Sequence, residues 1–480
     1  MNPTSPATNR TGAVRSPPRA RTRAGFRCEE CGATTSRWVG RCLQCQAWGA
    51  VVADEPAGGR AGGLRTVPAT ITTGQASPIG RVDPSGARVE ATGVDELDRV
   101  LGGGLVGGSV VLVAGEPGVG KSTLLLDVAA RVARSRRRAL YVTGEESAAQ
   151  VRVRAERIGA LAEQLFLAAE TDLGRVLGQV EALDPGLLVV DSVQTVASGG
   201  LEGGPGSIAQ VREVAAALIA AAKERGMATL LVGHVTKDGA IAGPRVLEHL
   251  VDVVVHFEGD RHSRLRMLRA VKNRYGPTDE VGCFDLGEAG IVGLPDPSGL
   301  FLSPRAEPVA GTCLTVTLEG TRPLPAEVQA LVAPSPLSTP RRVTNGLDAS
   351  RVAMVLAVLE RRGGVGLGSH DVYTATVGGV RVAEPAADLA VVLAVASAAV
   401  DRALPAGLVA VGEVGLAGEV RPTRGVGRRL AEAARLGLRH ALVPIDAGPV
   451  PEGMTVFPVS DLHDALRVLG QPTSGRRSSG

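Results

Sequence analysis

Gly115-Glu116-Pro117-Gly118-Val119-Gly120-Lys121-Ser122 has the spacing G-x-x-x-x-G-K-S. Glycines at these positions let backbone N–H groups wrap an anion, and the N-terminus of a following helix adds a favourable dipole. In such a loop Lys121 reaches the β- and γ-phosphates of a nucleoside triphosphate, and the Ser122 hydroxyl ligates Mg2+. Thr123 closes the run GEPGVGKST. An apolar strand pattern precedes the loop and a helical pattern follows it, which is the context this chemistry needs.

Cleavage of a triphosphate needs further groups. LLVVD, ending at Asp191, is an apolar strand finished by a carboxylate, a holder for Mg2+. YVTGEES brings Glu145 and Glu146 to another strand end, where a carboxylate can orient the attacking water. Either glutamate fits and Glu145 is preferred; acids in the first turn of a helix are also ordinary. His234 ends TLLVGH and is placed to sense the γ-phosphate, or is a satisfied polar group at a strand end.

Cys28-x-x-Cys31 and Cys42-x-x-Cys45 are a second constellation. Two such pairs give tetrahedral sulfur ligation of Zn2+. So short a segment has almost no core, so the metal would supply its folding free energy. Trp38 and Trp48 either stack on a base or partner or, the preferred reading, pack over the zinc loops. Cys283 and Cys313 stand alone and read as core residues.

The elements that must position these groups follow from hydrophobic patterning. VVLVAG, ALYVTG, LLVVD and TLLVGH are near-continuous apolar strands, separated by Ala/Arg-rich helical segments. That pattern implies a parallel sheet covered on both faces. Two glycine-rich loops, 197–207 and 235–245, follow strand ends on the rim where open α/β sheets bind ligands. Residues 1–25 read as a disordered basic tail, 26–50 as a four-cysteine zinc finger and 51–88 as a linker. Residues 89–290 form the nucleotide domain, 291–470 a separate α+β domain and 471–480 a disordered tail.

The 480-residue chain has a net charge of only +3, so any nucleic-acid binding must be local. Aromatics make up 2%, so its cores are aliphatic. Only four of the 52 basic residues are lysines: Lys121, Lys223, Lys237 and Lys272. In so arginine-rich a chain, a surviving lysine marks a place where a compact point charge is needed, or survives by chance. No secretory pattern begins the chain, and the run at 388–400 is too short to span a bilayer. A cytoplasmic protein is expected.

Together these motifs resemble the bacterial RadA (Sms) recombination proteins over residues 26 to 470. The resemblance rests on WVGRCLQCQAW, GEPGVGKST, GEES, HVTKDG, AGPRVLEHLVD and KNRYG at 272–276, where the family usually has KNRFG. It implies a RecA-like P-loop ATPase core using ATP, Mg2+ and Zn2+. It also implies a hexameric ring motor that moves on single-stranded or branched DNA and promotes branch migration with the RecA recombinase. By that resemblance Lys272 and Arg274 reach a nucleotide across a subunit interface, or contact DNA. From spacing alone KNRYG reads as a polar turn.

The C-terminal region resembles the proteolytic domain of Lon, through GTCLTVTLEG, the segment 372–398 and GEVGLAGEVRPTRGVGRRLAEAARLG. Where Lon proteases carry a Ser nucleophile and its Lys, this chain has Ala386 and Gly427. Neither can attack or accept a proton, so a peptidase is excluded on chemistry. Arg421, Arg424, Arg428 and Arg429 form a basic cluster, either a phosphate track or a solvated helix face. The leading function is a DNA-dependent ATPase motor. The alternatives are a nucleotide-gated recombinase mediator that does not translocate, and a signalling kinase on the same fold.

Overall fold

A computed structural model describes residues 25–28, 30–35, 37–54, 78–234, 246–259, 264–288, 290–303 and 307–470. Nearly all of the two expected tails, most of the expected linker and the loop 235–245 with Lys237 lie outside the described residues. The chain divides into two compact units, Met1–Val82 and Asp83–Gly480.

In the first unit the strands Gly25–Cys28, Thr34–Thr35 and Val51–Asp54 pair antiparallel. Among the described residues, Cys28, Cys42 and Val51 are its buried side chains. So small an interior cannot take two indoles. Trp38 is 63% exposed and Trp48 77%, which corrects the expectation that they pack over the zinc loops. Trp38 donates its indole N–H to the Val51 carbonyl at 3.0 Å, and the Arg41 guanidinium lies 5.6 Å from the Trp48 ring centre.

In the second unit nine strands, among the described residues, form one sheet. They are β1 (Val110–Gly115), β2 (Ala139–Thr143), β3 (Leu165–Ala169), β4 (Leu187–Asp191) and β5 (Ala228–His234), then β6 (Val253–Glu258), β7 (Leu265–Asn273), β8 (Val281–Gly287) and β9 (Gly290–Gly293). Their order is β9-β8-β7-β6-β1-β5-β4-β2-β3. The strands from β6 to β3 in that order are parallel. Strands β7 to β9 add on antiparallel, an extension that apolar runs alone do not announce.

Alternate residues of β1 enter different cores, because successive strand side chains point to opposite faces. Val111 and Val113 pack with Leu124, Leu125 and Val128 of the helix Lys121–Arg134. Val110 and Leu112 pack with Val211, Val214 and Leu218 of the helix Ile208–Arg225. The helices start where their caps dictate. Ser147 forms a capping box with Gln150, and Asp172 and Ser207 accept the backbone N–H three residues on.

A second, seven-stranded sheet follows: β10 (Thr312–Glu319), β11 (Arg322–Pro334), β12 (Arg342–Asn345), β13 (His370–Thr376), β14 (Leu408–Ala410), β15 (His440–Pro444) and β16 (Thr455–Val459). Its order is β12-β13-β11-β10-β14-β15-β16. The helix Asp388–Ala399 is buried along Asp388–Ser397, which explains its continuous apolar run. No helix among the described residues is long and apolar enough to cross a membrane. The turn between β10 and β11 is tied to the nucleotide domain. Arg322 pairs with Glu96 and donates to the Val281, Leu294 and Pro295 carbonyls, and Arg269 meets Glu319 at 2.7 Å.

Candidate functional site

Strand register brings the chemistry to one rim. His234 pairs with Gly115 and Thr143 with Asp191, so β1 ends level with β5 and β2 with β4; Leu231 pairs with Val190, so β5 runs on past the end of β4 toward the same rim. Glu145 and Glu146 lie just beyond β2, and the phosphate loop leaves β1.

The loop Glu116–Gly118 is open to solvent while Val119 is buried as its anchor. Gly120 begins the helix at φ 108°, a left-handed conformation that disfavours a side chain. Gly115 is required for a different reason: a Cβ there would lie 2.3 Å from the Phe257 carbonyl oxygen of β6. No side chain caps the helix that starts at Lys121, so its first N–H groups remain for an anion. Ser122 and Thr123 occupy its first turn. Lys121 is 3% exposed, and its Nζ donates to the Gly115 and Glu116 carbonyls at 2.8 and 2.9 Å. Burial pushes its pKa down to about 8, against the pull of Asp191 and Glu145. A buried ammonium held only by carbonyls suits a triphosphate.

Asp191 is 6% exposed. Its Oδ2 accepts the Tyr141 hydroxyl at 2.6 Å, whereas its Oδ1 is buried with no partner. A free carboxylate oxygen in that position fits Mg2+. Lys121, Ser122 and Asp191 would therefore hold the Mg-nucleotide.

The two glutamates separate. Glu146 is tied to Arg154 of the next helix, and its backbone N–H donates to Thr143 Oγ1. Glu145 instead accepts the Ser192 hydroxyl at 2.6 Å and lies 3.0 Å from His234 Nε2. The His234 approach is close enough for an ion pair without hydrogen-bond alignment. His234, then Ser192 and Lys121, hold the Glu145 carboxyl down at about 2, against its burial. An ionised carboxylate beside the phosphate loop can orient water. Gln194 stands here too, donating at 3.4 Å to the His234 carbonyl. Tyr141, Ser192 and Gln194 were not singled out from sequence. For the latter two a signal existed: DSVQT sets polar residues directly after the strand-ending aspartate.

The loop 197–207 is pinned rather than open. Gln210, 1% exposed, bonds the backbone of Ser198 and the carbonyls of Leu201 and Gly203.

Lys272 and Arg274 are not brought to this rim. Lys272 is the penultimate residue of β7 and donates to the Glu248 and Val251 carbonyls at 2.9 and 2.7 Å. Arg274 bonds Asp252 Oδ1 at 2.9 Å, and Asp252 Oδ2 accepts the N–H of Val110, the first residue of β1. This cluster lies at the opposite end of β1 from Gly115, about 16 Å along the strand. KNRYG is thus half strand end, half turn.

The four cysteines converge. All four sulfurs lie within 4.8 Å of one another, with Cys28–Cys45 at 3.6 Å and Cys31–Cys42 at 3.7 Å. Zn–S bonds of about 2.3 Å in a tetrahedron require sulfurs about 3.8 Å apart, so the set fits zinc. The Cys45 and Gln44 backbone N–H groups lower the Cys42 thiol to about 6.

In the second sheet's domain, Ala386 is 2% exposed and Gly427 faces Pro449. The segment before Ala386 and the helix bearing Gly427 are tied by Glu384 and Arg429, with Nη2 to Oε2 at 2.7 Å. Arg429 is 1% exposed, so within the basic cluster it is a core residue.

An AAA domain model matches residues 82–240, and a rubredoxin metal binding domain model matches residues 26–53. The DNA repair protein RadA of Mycobacterium tuberculosis is 55% identical over 453 residues, covering 94% of each chain. The chain belongs to the RadA family. RadA of Pseudomonas aeruginosa is 46% identical over 94% of this chain and 99% of its own, and RadA of Escherichia coli 45% over 92% and 98%. Membership of the RadA family joins the zinc ribbon at 26–53 and the AAA domain at 82–240 in one protein.

Proposed function

We propose that this chain is a DNA-dependent ATPase of recombination and repair, a ring-shaped motor on single-stranded or branched DNA that promotes branch migration with the RecA recombinase. The curated relatives are named DNA repair proteins. Lys121 and Ser122 hold the phosphates, Asp191 and Ser122 hold Mg2+, Glu145 orients water and His234 senses the γ-phosphate through Glu145. Bound Mg2+ neutralises charge on the phosphates.

The observation that carries this reading is the separation of Lys272 and Arg274 from their own chain's phosphate loop by the length of β1. They cannot serve that nucleotide. Half-exposed Arg274 and exposed Tyr275 are available to a neighbouring subunit or to DNA instead. The domain at 291–470 then acts as a Lon-like scaffold without peptidase chemistry, since neither Ala386 nor Gly427 supplies a nucleophile or base. The ATPase rate of purified protein with and without single-stranded DNA tests the proposal. Stimulation supports it; an unchanged rate together with no DNA affinity overturns it.

A further inference from the structure

Tyr141 lies inside β2 and is 1% exposed. It pairs across the sheet with Val189, and Asp191 pairs with Thr143. Tyr141 and Asp191 are therefore diagonal neighbours on one face, a spacing that an aromatic side chain bridges. The phenol donates to Asp191 Oδ2 at 2.6 Å. The ring is fixed by the core that contains Leu124, Val151 and Val189. The second oxygen, Oδ1, is buried without a partner. Rotation about the terminal bond of an aspartate is soft, so a carboxylate at a strand end needs an outside contact to set its direction.

We propose that Tyr141 is the positioning residue of the metal site: by occupying Oδ2 it leaves Oδ1 as the single oxygen presented to the ion. This rests on the reading of the phosphate loop as a Mg-nucleotide site. Outer hydrogen-bond partners of a metal-ligating carboxylate set its orientation, and their loss lowers metal affinity about 10- to 100-fold.

The test uses the full chain, a fluorescent ADP analogue and Tyr141→Phe, which removes one oxygen. Affinity is measured in EDTA and across a Mg2+ titration. The expected result is an unchanged Mg2+-free affinity and a Mg2+ midpoint raised about 10- to 100-fold. On an Asp191→Asn background, Tyr141→Phe should add nothing further. An unmoved midpoint, an equal loss with and without Mg2+, or additive losses in the double variant would overturn the proposal. If Tyr141→Phe does not fold, the wild-type chain still decides. It has three tyrosines, so fluorotyrosine labelling resolves them, with Tyr275→Phe and Tyr373→Phe giving the assignments. The Tyr141 resonance should shift when Mg2+ joins the ADP complex; a resonance that stays put refutes the proposal. A wild-type protein whose ADP affinity ignores Mg2+ would instead overturn the metal-nucleotide reading beneath it.

Discussion

Glu145 Oε1 lies 3.0 Å from His234 Nε2, although the strands that deliver them are separated by β4. Ser192, just past β4, bonds the same carboxylate and completes the bridge. The site is thus a contact across three strand ends.

His234→Ala should raise the Glu145 pKa from about 2 toward its ordinary 4.5. A depressed carboxyl contributes stability above its unfolded pKa, and that contribution is lost as pH falls through the folded value. In wild type the Glu145 charge therefore survives throughout the working range. The variant should show an acid limb in kcat near pH 4 to 5. A profile that matches wild type would show that His234 does not govern this carboxylate.

Lys121→Ala should lower hydrolysis at least about 100-fold by removing a preorganised charge from the phosphates. Its ammonium is depressed to about 8 by burial. A triphosphate favours the charged form, so nucleotide binding near pH 8.5 should take up a fraction of a proton, and at pH 6.5 none from this group. Calorimetry in buffers of different ionisation enthalpy measures the uptake. Without nucleotide the sign reverses: stability rises from pH 8 toward 10.5, where unfolded Lys121 still holds a proton and folded Lys121 does not.

Lys272→Ala should bind nucleotide normally and lose coupling to DNA. Its contacts are with backbone carbonyls at the end of β1 remote from the phosphate loop. Nucleotide affinity and ATP-dependent branch migration, measured side by side, check this; intact migration counts against it.

Cys28→Ala should abolish zinc binding and unfold the ribbon alone, because the ribbon and the ATPase domain lie in separate compact units. Metal analysis should fall from one zinc per chain to near zero (about one-for-one for a four-thiolate site). The main thermal transition should not move.

Arg322→Ala should destabilise the Asp83–Gly480 unit by up to about 3 kcal/mol, since the buried Glu96 carboxylate loses its closest cation and keeps Arg99 at 3.6 Å and the Cys283 N–H. Glu96 is 1% exposed and Arg322 7%. Denaturant titration measures the loss. Arg322→Ala with Glu96→Gln should recover part of it, as the double change leaves no unpaired charge.

Sequence alone marked parallel strands and the cysteine pairs, though not the antiparallel strands β7 to β9. Runs such as VVLVAG and LLVVD can bury both faces only inside a sheet covered on both sides, and two CxxC pairs define a zinc ribbon without reference to anything distant. The phosphate loop was legible for the same reason: its glycines, lysine and serine act within nine consecutive residues. Tertiary structure decided what depends on strand order and register. GEES left both glutamates open with Glu145 preferred; the structure separates them, Arg154 drawing Glu146 onto the next helix while Ser192 and His234 meet Glu145. Tyr141 was invisible because a tyrosine in an apolar strand reads as core until the register sets it diagonal to Asp191. Lys272 and Arg274 were recognisable as a motif, yet their distance from the phosphate loop follows from antiparallel β7 running back along β6. A linear sequence encodes local conformation through neighbours; which strand ends share a rim is set by long-range pairing, and there the chemistry of the site is assembled.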